Sequence, residues 1–71
     1  MFEIGKKIIF AHEEDGKAII AEITQVYSDR MMVKYLINKP KYGPPYTYIM
    51  EKDYELVELW QEPNDVLKEL L

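Results

Sequence analysis

Residues Lys17 to Ile37 read KAIIAEITQVYSDRMMVKYLI, and their pattern gives the strongest indication of the fold. It holds two β-prone runs, Lys17 to Tyr27 and Met31 to Ile37, in which apolar residues recur with the period of a half-buried strand. Between the runs, Ser28 and Asp29 are residues that favour tight turns. The stretch therefore predicts two antiparallel strands joined by a hairpin.

The sequence of the first of these strands indicates a break in its regular alternation. Ile19, Ala21 and Ile23 share one face, but the apolar series resumes at Val26, which is one residue out of phase. Since an extra residue in one strand of a pair shifts the alternation in this way, we expect a β-bulge near Thr24-Gln25. The second strand has an uncharged face formed by Met31, Val33, Tyr35 and Ile37.

Three more segments have strand character. Lys7 to Ala11 is followed by Asp15-Gly16, a strong hairpin signal. Tyr46 to Met50 is rich in β-formers, and Tyr54 to Leu59 forms a fifth strand after a helical turn over Glu51 to Asp53. These segments complete a set of five strands.

The two remaining segments are a loop and a tail. Asn38 to Pro45 contains three prolines and a glycine, so it cannot form a central strand. Beyond Trp60, Pro63 ends the last strand, and the sequence favours a short helix from Val66 to Leu71. We expect this helix to dock on the same chain or on a second one, because two helical turns are unstable alone.

Five short strands with a helical turn before the last predict a small SH3-like barrel over residues 1–60, with a tail over residues 61–71. An OB-like barrel is the alternative, for which the chain is short. Phrases such as Gly5 to Phe10, Ala21 to Val26 and Asp53 to Glu58 resemble the opening, bulged and closing strands of Tudor-like and related SH3-like domains.

Over its whole length, the chain resembles YorP, a family of small proteins carried by SPβ-type Bacillus prophages. The resemblance lies in overall length, in Met1 to Phe10 and in Tyr54 to Trp60. It implies a five-strand fold with a helical turn, in a phage or prophage setting. That family has no established activity, so the resemblance assigns no functional residues.

Composition narrows the function classes. The chain has 71 residues, no cysteine and one histidine, so disulfides are excluded and a zinc site is disfavoured. A hydrophobic fraction of 48% suffices for one compact domain. The apolar runs are far shorter than the ~20 residues of a membrane span, and the N-terminus lacks the order of a signal peptide. We therefore expect a cytoplasmic protein.

Charge is unevenly distributed along the chain. The net charge is −4, and residues 51–71 carry seven acidic and two basic side chains. An acidic balance disfavours nonspecific attraction to phosphate backbones, which needs clustered Lys and Arg. Nucleic-acid binding is therefore the alternative function, after binding of a protein.

The sequence offers little catalytic chemistry. Its only serine, Ser28, sits in a predicted turn, and nothing pairs it with His12. The consecutive residues from His12 to Asp15 point in different directions and are interpreted as a solvated turn rather than a metal site. We predict that the chain is not an enzyme and takes no cofactor or metal.

The most informative region for binding surrounds the proline-rich loop. Tyrosine offers a large contact area and a hydrogen-bonding group at low entropic cost. We predict a contact surface for a host or phage protein, with Trp60 as a further anchor; its loop residues are Lys39, Lys41, Tyr42, Tyr46 and Tyr48.

Three alternatives stay open. The tyrosines could instead cover the small core. Arg30, Lys34, Lys39 and Lys41, interleaved with tyrosines, could hold single-stranded nucleic acid. Trp60 and the tail could mediate self-association, so the chain is expected to be a monomer or a weak homodimer.

Overall fold

A computed structural model describes residues 2–12 and 15–60. These residues form five strands and one 3-10 helix, which confirms the mostly-β prediction. The strands are β1 (Lys7–Ala11), β2 (Ala18–Val26), β3 (Arg30–Ile37), β4 (Tyr46–Met50) and β5 (Glu58–Leu59), and the 3-10 helix spans Glu51–Leu56. The helix predicted for the tail lies outside the described residues.

The strands form a single antiparallel sheet in the order β4-β3-β2-β1-β5. Strands β1 to β4 pair consecutively, and β5 returns to β1 with Leu59 opposite Ile8. This meander, with a helical turn before the last strand, is the order expected of the SH3-like prediction. It differs from the Greek-key order of the OB-like alternative.

Both predicted hairpins are present. The N–H of Tyr27 donates to the carbonyl of Arg30 at 2.8 Å and closes the β2–β3 turn. In the first hairpin, the backbone N–H of His12 donates to the carbonyl of Lys17 at 2.8 Å. Gly16 has φ +71 there, a left-handed conformation that glycine adopts without a steric penalty.

The core lies on the concave side of the sheet. Four strands and the end of the 3-10 helix contribute to one cluster, which shows that the sheet curves around it. The buried members are Ile8, Ala21, Ile23, Met31, Val33, Ile49 and Val57. The predicted bulge is confirmed, because the pairing of β2 with β3 shifts register between Ile23 and Gln25.

The predicted fifth strand over Tyr54 to Leu59 is wrong in its first half. The 3-10 helix continues to Leu56, and strand pairing is limited to Glu58–Leu59. Tyr54 packs against the core, with its ring centroid 5.3 Å from that of Phe2. This tertiary contact outweighs the local strand preference of Tyr54-Glu55-Leu56.

Candidate functional site

The outer face of β3 and β4 carries exposed aromatic side chains beside cationic ones. Ile49 is buried in the core. Because side chains alternate along a strand, Tyr46, Tyr48 and Met50 lie on the opposite, convex face. Across the ladder they face Lys34, Met32 and Arg30.

Three tyrosines meet on this face. The ring of Tyr48 lies 6.3 Å from that of Tyr46, edge to face, and 6.5 Å from that of Tyr27. All three are exposed, at 48% for Tyr27, 43% for Tyr46 and 47% for Tyr48. We call Tyr27, Tyr46, Tyr48 and Arg30 the tyrosine surface. The rings lie on the outside of the sheet, so they do not cover the core as one alternative predicts.

Arg30 is fixed from two sides. Its Nε and Nη2 donate to the two carboxylate oxygens of Asp29 at 3.1 and 3.0 Å. Its guanidinium carbon lies 5.8 Å from the centroid of the Tyr48 ring, within cation–π range. The hydrogen bonds lower the pKa of the Asp29 carboxyl and raise the pKa of Arg30. Arg30 is therefore a positioned cation whose charge is matched by Asp29.

The loop residues of the predicted surface lie elsewhere. Tyr42 is 83% exposed, and within the described part of the chain its ring contacts no other tyrosine; Lys41 lies over it at 5.8 Å. Lys39, Lys41 and Tyr42 line a depression of about 390 Å³ shared with His12 and Lys17. Tyr46 and Tyr48 do not line this depression.

Trp60 lies at the other end of the sheet order. Its N–H donates to the carbonyl of Lys7 at 2.9 Å, which continues the pairing of β5 with β1. Its side chain is half-buried. The sheet order therefore places Trp60 next to β1 rather than next to β4.

An apolar cleft of about 560 Å³ opens between β4, the 3-10 helix and the ends of β1 and β2. Its volume is in the range of ligand pockets. Most of its walls are apolar or aromatic, and His12 and Asp53 also contribute. The other lining residues are Phe10, Ala11, Ile19, Tyr35, Pro40, Thr47, Tyr48, Ile49, Leu56 and Val57. The sequence analysis missed this cleft, because its walls come from segments far apart in the chain.

The residues considered for catalysis or metal binding lie in turns and at strand ends. Ser28 and His12 flank opposite ends of β2, whose nine residues span roughly 25 Å, so they do not form a pair. Asp15 accepts from the backbone N–H of Lys17 at 3.0 Å, a turn-forming bond. Among residues 2–12 and 15–60, no group of three or more His, Cys, Asp or Glu is placed to hold a metal ion.

Within the same residues, no helix has the length and hydropathy needed to cross a membrane. No protein-family model matches the chain, and neither a curated protein nor a solved structure is significantly similar to it.

Proposed function

We propose that this chain is a non-catalytic protein-interaction module whose contact face is the tyrosine surface. The observation that carries the proposal is the contact of three exposed tyrosine rings on one face of a sheet. We further propose that it is encoded by a phage or prophage and binds a host or phage protein in the bacterial cytoplasm, in keeping with the resemblance to YorP.

The composition of this face favours a protein partner. Tyr, Arg and Met are enriched in the centres of protein interfaces, where Lys and Glu are depleted. The tyrosine surface has Met32 directly across from Tyr48. Tyrosine and arginine are also the residues whose truncation most often costs binding energy.

The face is also pre-organised. Tyr48 is held between Tyr46, Tyr27 and Arg30, and Arg30 is in turn held by Asp29. Side chains that are already ordered lose less entropy on binding, which leaves more of the contact energy for affinity.

Nucleic acid is the less favoured ligand on the same observations. Asp29 neutralises Arg30 locally, and Glu22 lies directly across the ladder from Lys34. Phosphate binding needs uncompensated cations. We therefore treat retention of nucleic acid as an outcome that contradicts the proposal.

The direct test is site-specific photocrosslinking. A benzoyl-phenylalanine in place of Tyr46 is expected to crosslink one main protein in nuclease-treated bacterial lysate. The same group in place of Tyr42, an equally aromatic but separate position, should not. Crosslinking that disappears after nuclease treatment would favour nucleic acid, and equal crosslinking from Tyr42 would move the contact face to the loop.

A loss-of-binding series completes the test. The double variant Tyr46→Thr, Tyr48→Thr keeps β-forming residues in β4 and should weaken partner binding by about tenfold or more, as truncation of interface hot spots does. Tyr42→Thr is the matched control and should bind like the wild type. Unchanged affinity in the double variant, with thermal unfolding showing that it is folded, would contradict the proposal.

A further inference from the structure

Within residues 2–12 and 15–60, β4 is an end of the sheet, and its edge away from β3 has a defined set of hydrogen-bonding groups. The carbonyl of Pro45 accepts from Tyr35, and the N–H of Glu51 donates to Asp29, both at 2.9 Å. Since alternate residues of an antiparallel strand bond to the same neighbour, the odd-numbered residues of β4 face β3. Tyr46 and Tyr48 therefore direct their backbone N–H and carbonyl groups away from β3, and Met50 directs its N–H there, while the Met50 carbonyl begins the 3-10 helix.

This edge lacks the features that usually prevent strand pairing between chains. Such features are charged side chains, proline, a bulge or very short length. The sequence of β4, Tyr46–Met50, contains no charge and no proline, and its pairing with β3 is regular throughout. By contrast, β5 at the opposite end has only two residues, one of them Glu58.

The segments before and after β4 carry opposite charges, so they are complementary between two copies of the chain aligned antiparallel. Before the strand, the loop carries Lys39 and Lys41. After it, the 3-10 helix carries three acidic residues, Glu51, Asp53 and Glu55, and one basic residue, Lys52, so that flank remains acidic. A second copy aligned antiparallel to β4 would bring its acidic flank beside this basic flank, and the reverse at the other end. A parallel alignment would instead place like charges together.

We propose that β4 pairs antiparallel with β4 of a second copy of the chain, about a two-fold axis at Tyr48. In this register the N–H of Tyr48 donates to the carbonyl of Tyr48 in the other copy, and the N–H of Met50 donates to that of Tyr46. Two sheets then join into one, and the two tyrosine surfaces become neighbours. The inference goes beyond the proposed function, because each can fail without the other.

Met50 provides a variant that affects the edge while leaving the fold intact. Its φ of −76° is close to the value that proline imposes, and its N–H points away from β3. Met50→Pro therefore removes two of the four intermolecular donors of the dimer without removing a bond of the β3–β4 ladder. Met50→Ala is the matched control, because it shortens the side chain and keeps the N–H.

Sedimentation equilibrium of the full chain, at concentrations up to about 1 mM, tests the inference. We expect reversible dimerisation, weakened about tenfold or more by Met50→Pro and much less by Met50→Ala. A monomer throughout the range, or a dimer unaffected by Met50→Pro, would overturn the inference.

A charge exchange on exposed residues gives a second test that does not depend on how proline is tolerated. Lys41→Glu should weaken the dimer, and adding Glu55→Lys in the same chain should restore it. Restoration would place the two flanks opposite each other. Equal weakening in the single and double variants would reject the antiparallel register, and partner binding measured in parallel reports separately on the proposed function.

Discussion

The fold changes the ionisation of Tyr54. Its ring leaves the 3-10 helix towards the core and meets Phe2. Burial raises the pKa of its hydroxyl above the ordinary value, and the nearby carboxylates of Glu51 and Asp29 raise it further. All three influences disfavour the tyrosinate in the folded chain.

This raised pKa predicts a stability loss at alkaline pH. Below about pH 10, Tyr54 is neutral in both the folded and the unfolded chain, and its stabilising contribution is complete. As the pH rises from there through the higher folded pKa, the unfolded chain gives up its proton first, so the contribution is lost. We expect the difference in unfolding free energy between the wild type and Tyr54→Phe to shift in favour of the variant as the pH rises above about 10, the ordinary pKa of tyrosine. Urea unfolding at several pH values measures it, and a constant difference would contradict this view of Tyr54.

Among the connecting elements, the β3–β4 loop begins at a strained residue. Asn38 has φ 61°, in the left-handed region, and is the one described non-glycine residue with positive φ. Its side-chain Nδ2 donates to the carbonyl of Ala18 at 2.8 Å, which fastens the start of the loop to β2. The hydrogen bond and the conformation therefore act at the same position.

Substitutions at Asn38 separate these two effects. Asn38→Gly should lose the hydrogen bond, worth about 0.5–1.5 kcal/mol, but should tolerate the left-handed backbone. Asn38→Ala should lose the same bond and add a conformational cost of about 1–2 kcal/mol. Chemical unfolding of both variants measures the gap between them. Equal stabilities would show that the left-handed conformation is not retained.

Regular elements could be predicted where local sequence and tertiary environment agree. The bounds of β1 and β4 were predictable, because turn or proline residues punctuate both strands and their apolar residues match one buried face. The bulge of β2 was visible as the phase shift before Val26. The 3-10 helix could not be delimited, since contacts of Tyr54 with residues distant in sequence decide its conformation.

The candidate site was predictable only in part for a related reason. Tyr46 and Tyr48 share a face because they are two residues apart on one strand, which the sequence indicates directly. Tyr27 reaches Tyr48 only because β2 pairs with β3 and β3 pairs with β4. Tyr42 lies in the loop and lines a different depression. Without the register of β2, β3 and β4, neither outcome follows from spacing.

At the scale of the whole molecule, one small core supports the fold. No polar side chain is buried among the described residues, so the core is purely apolar. A domain of this length is expected to have an unfolding free energy of only about 4–11 kcal/mol. A single large cavity in the core is therefore expected to remove a substantial fraction of the unfolding free energy.

The adjacent methionines Met31 and Met32 test this dependence with matched chemistry. Met31 is fully buried in the core, whereas Met32 lies on the outer face. Met31→Ala should cost about 2–5 kcal/mol, the range for truncating a buried large side chain. Met32→Ala should cost about 1 kcal/mol or less. Urea titrations of the two variants give the comparison, and similar losses would show that the outer face is not solvent-facing.

The chain also contains its own optical reporter. Trp60 is the single tryptophan of the sequence, and its backbone is bonded to Lys7 where the last strand meets the first. Tyrosine emission overlaps indole absorption, so excitation energy from the tyrosines should reach this indole when the sheet is closed. Fluorescence of the unlabelled protein can therefore follow the pairing of the last strand with the first.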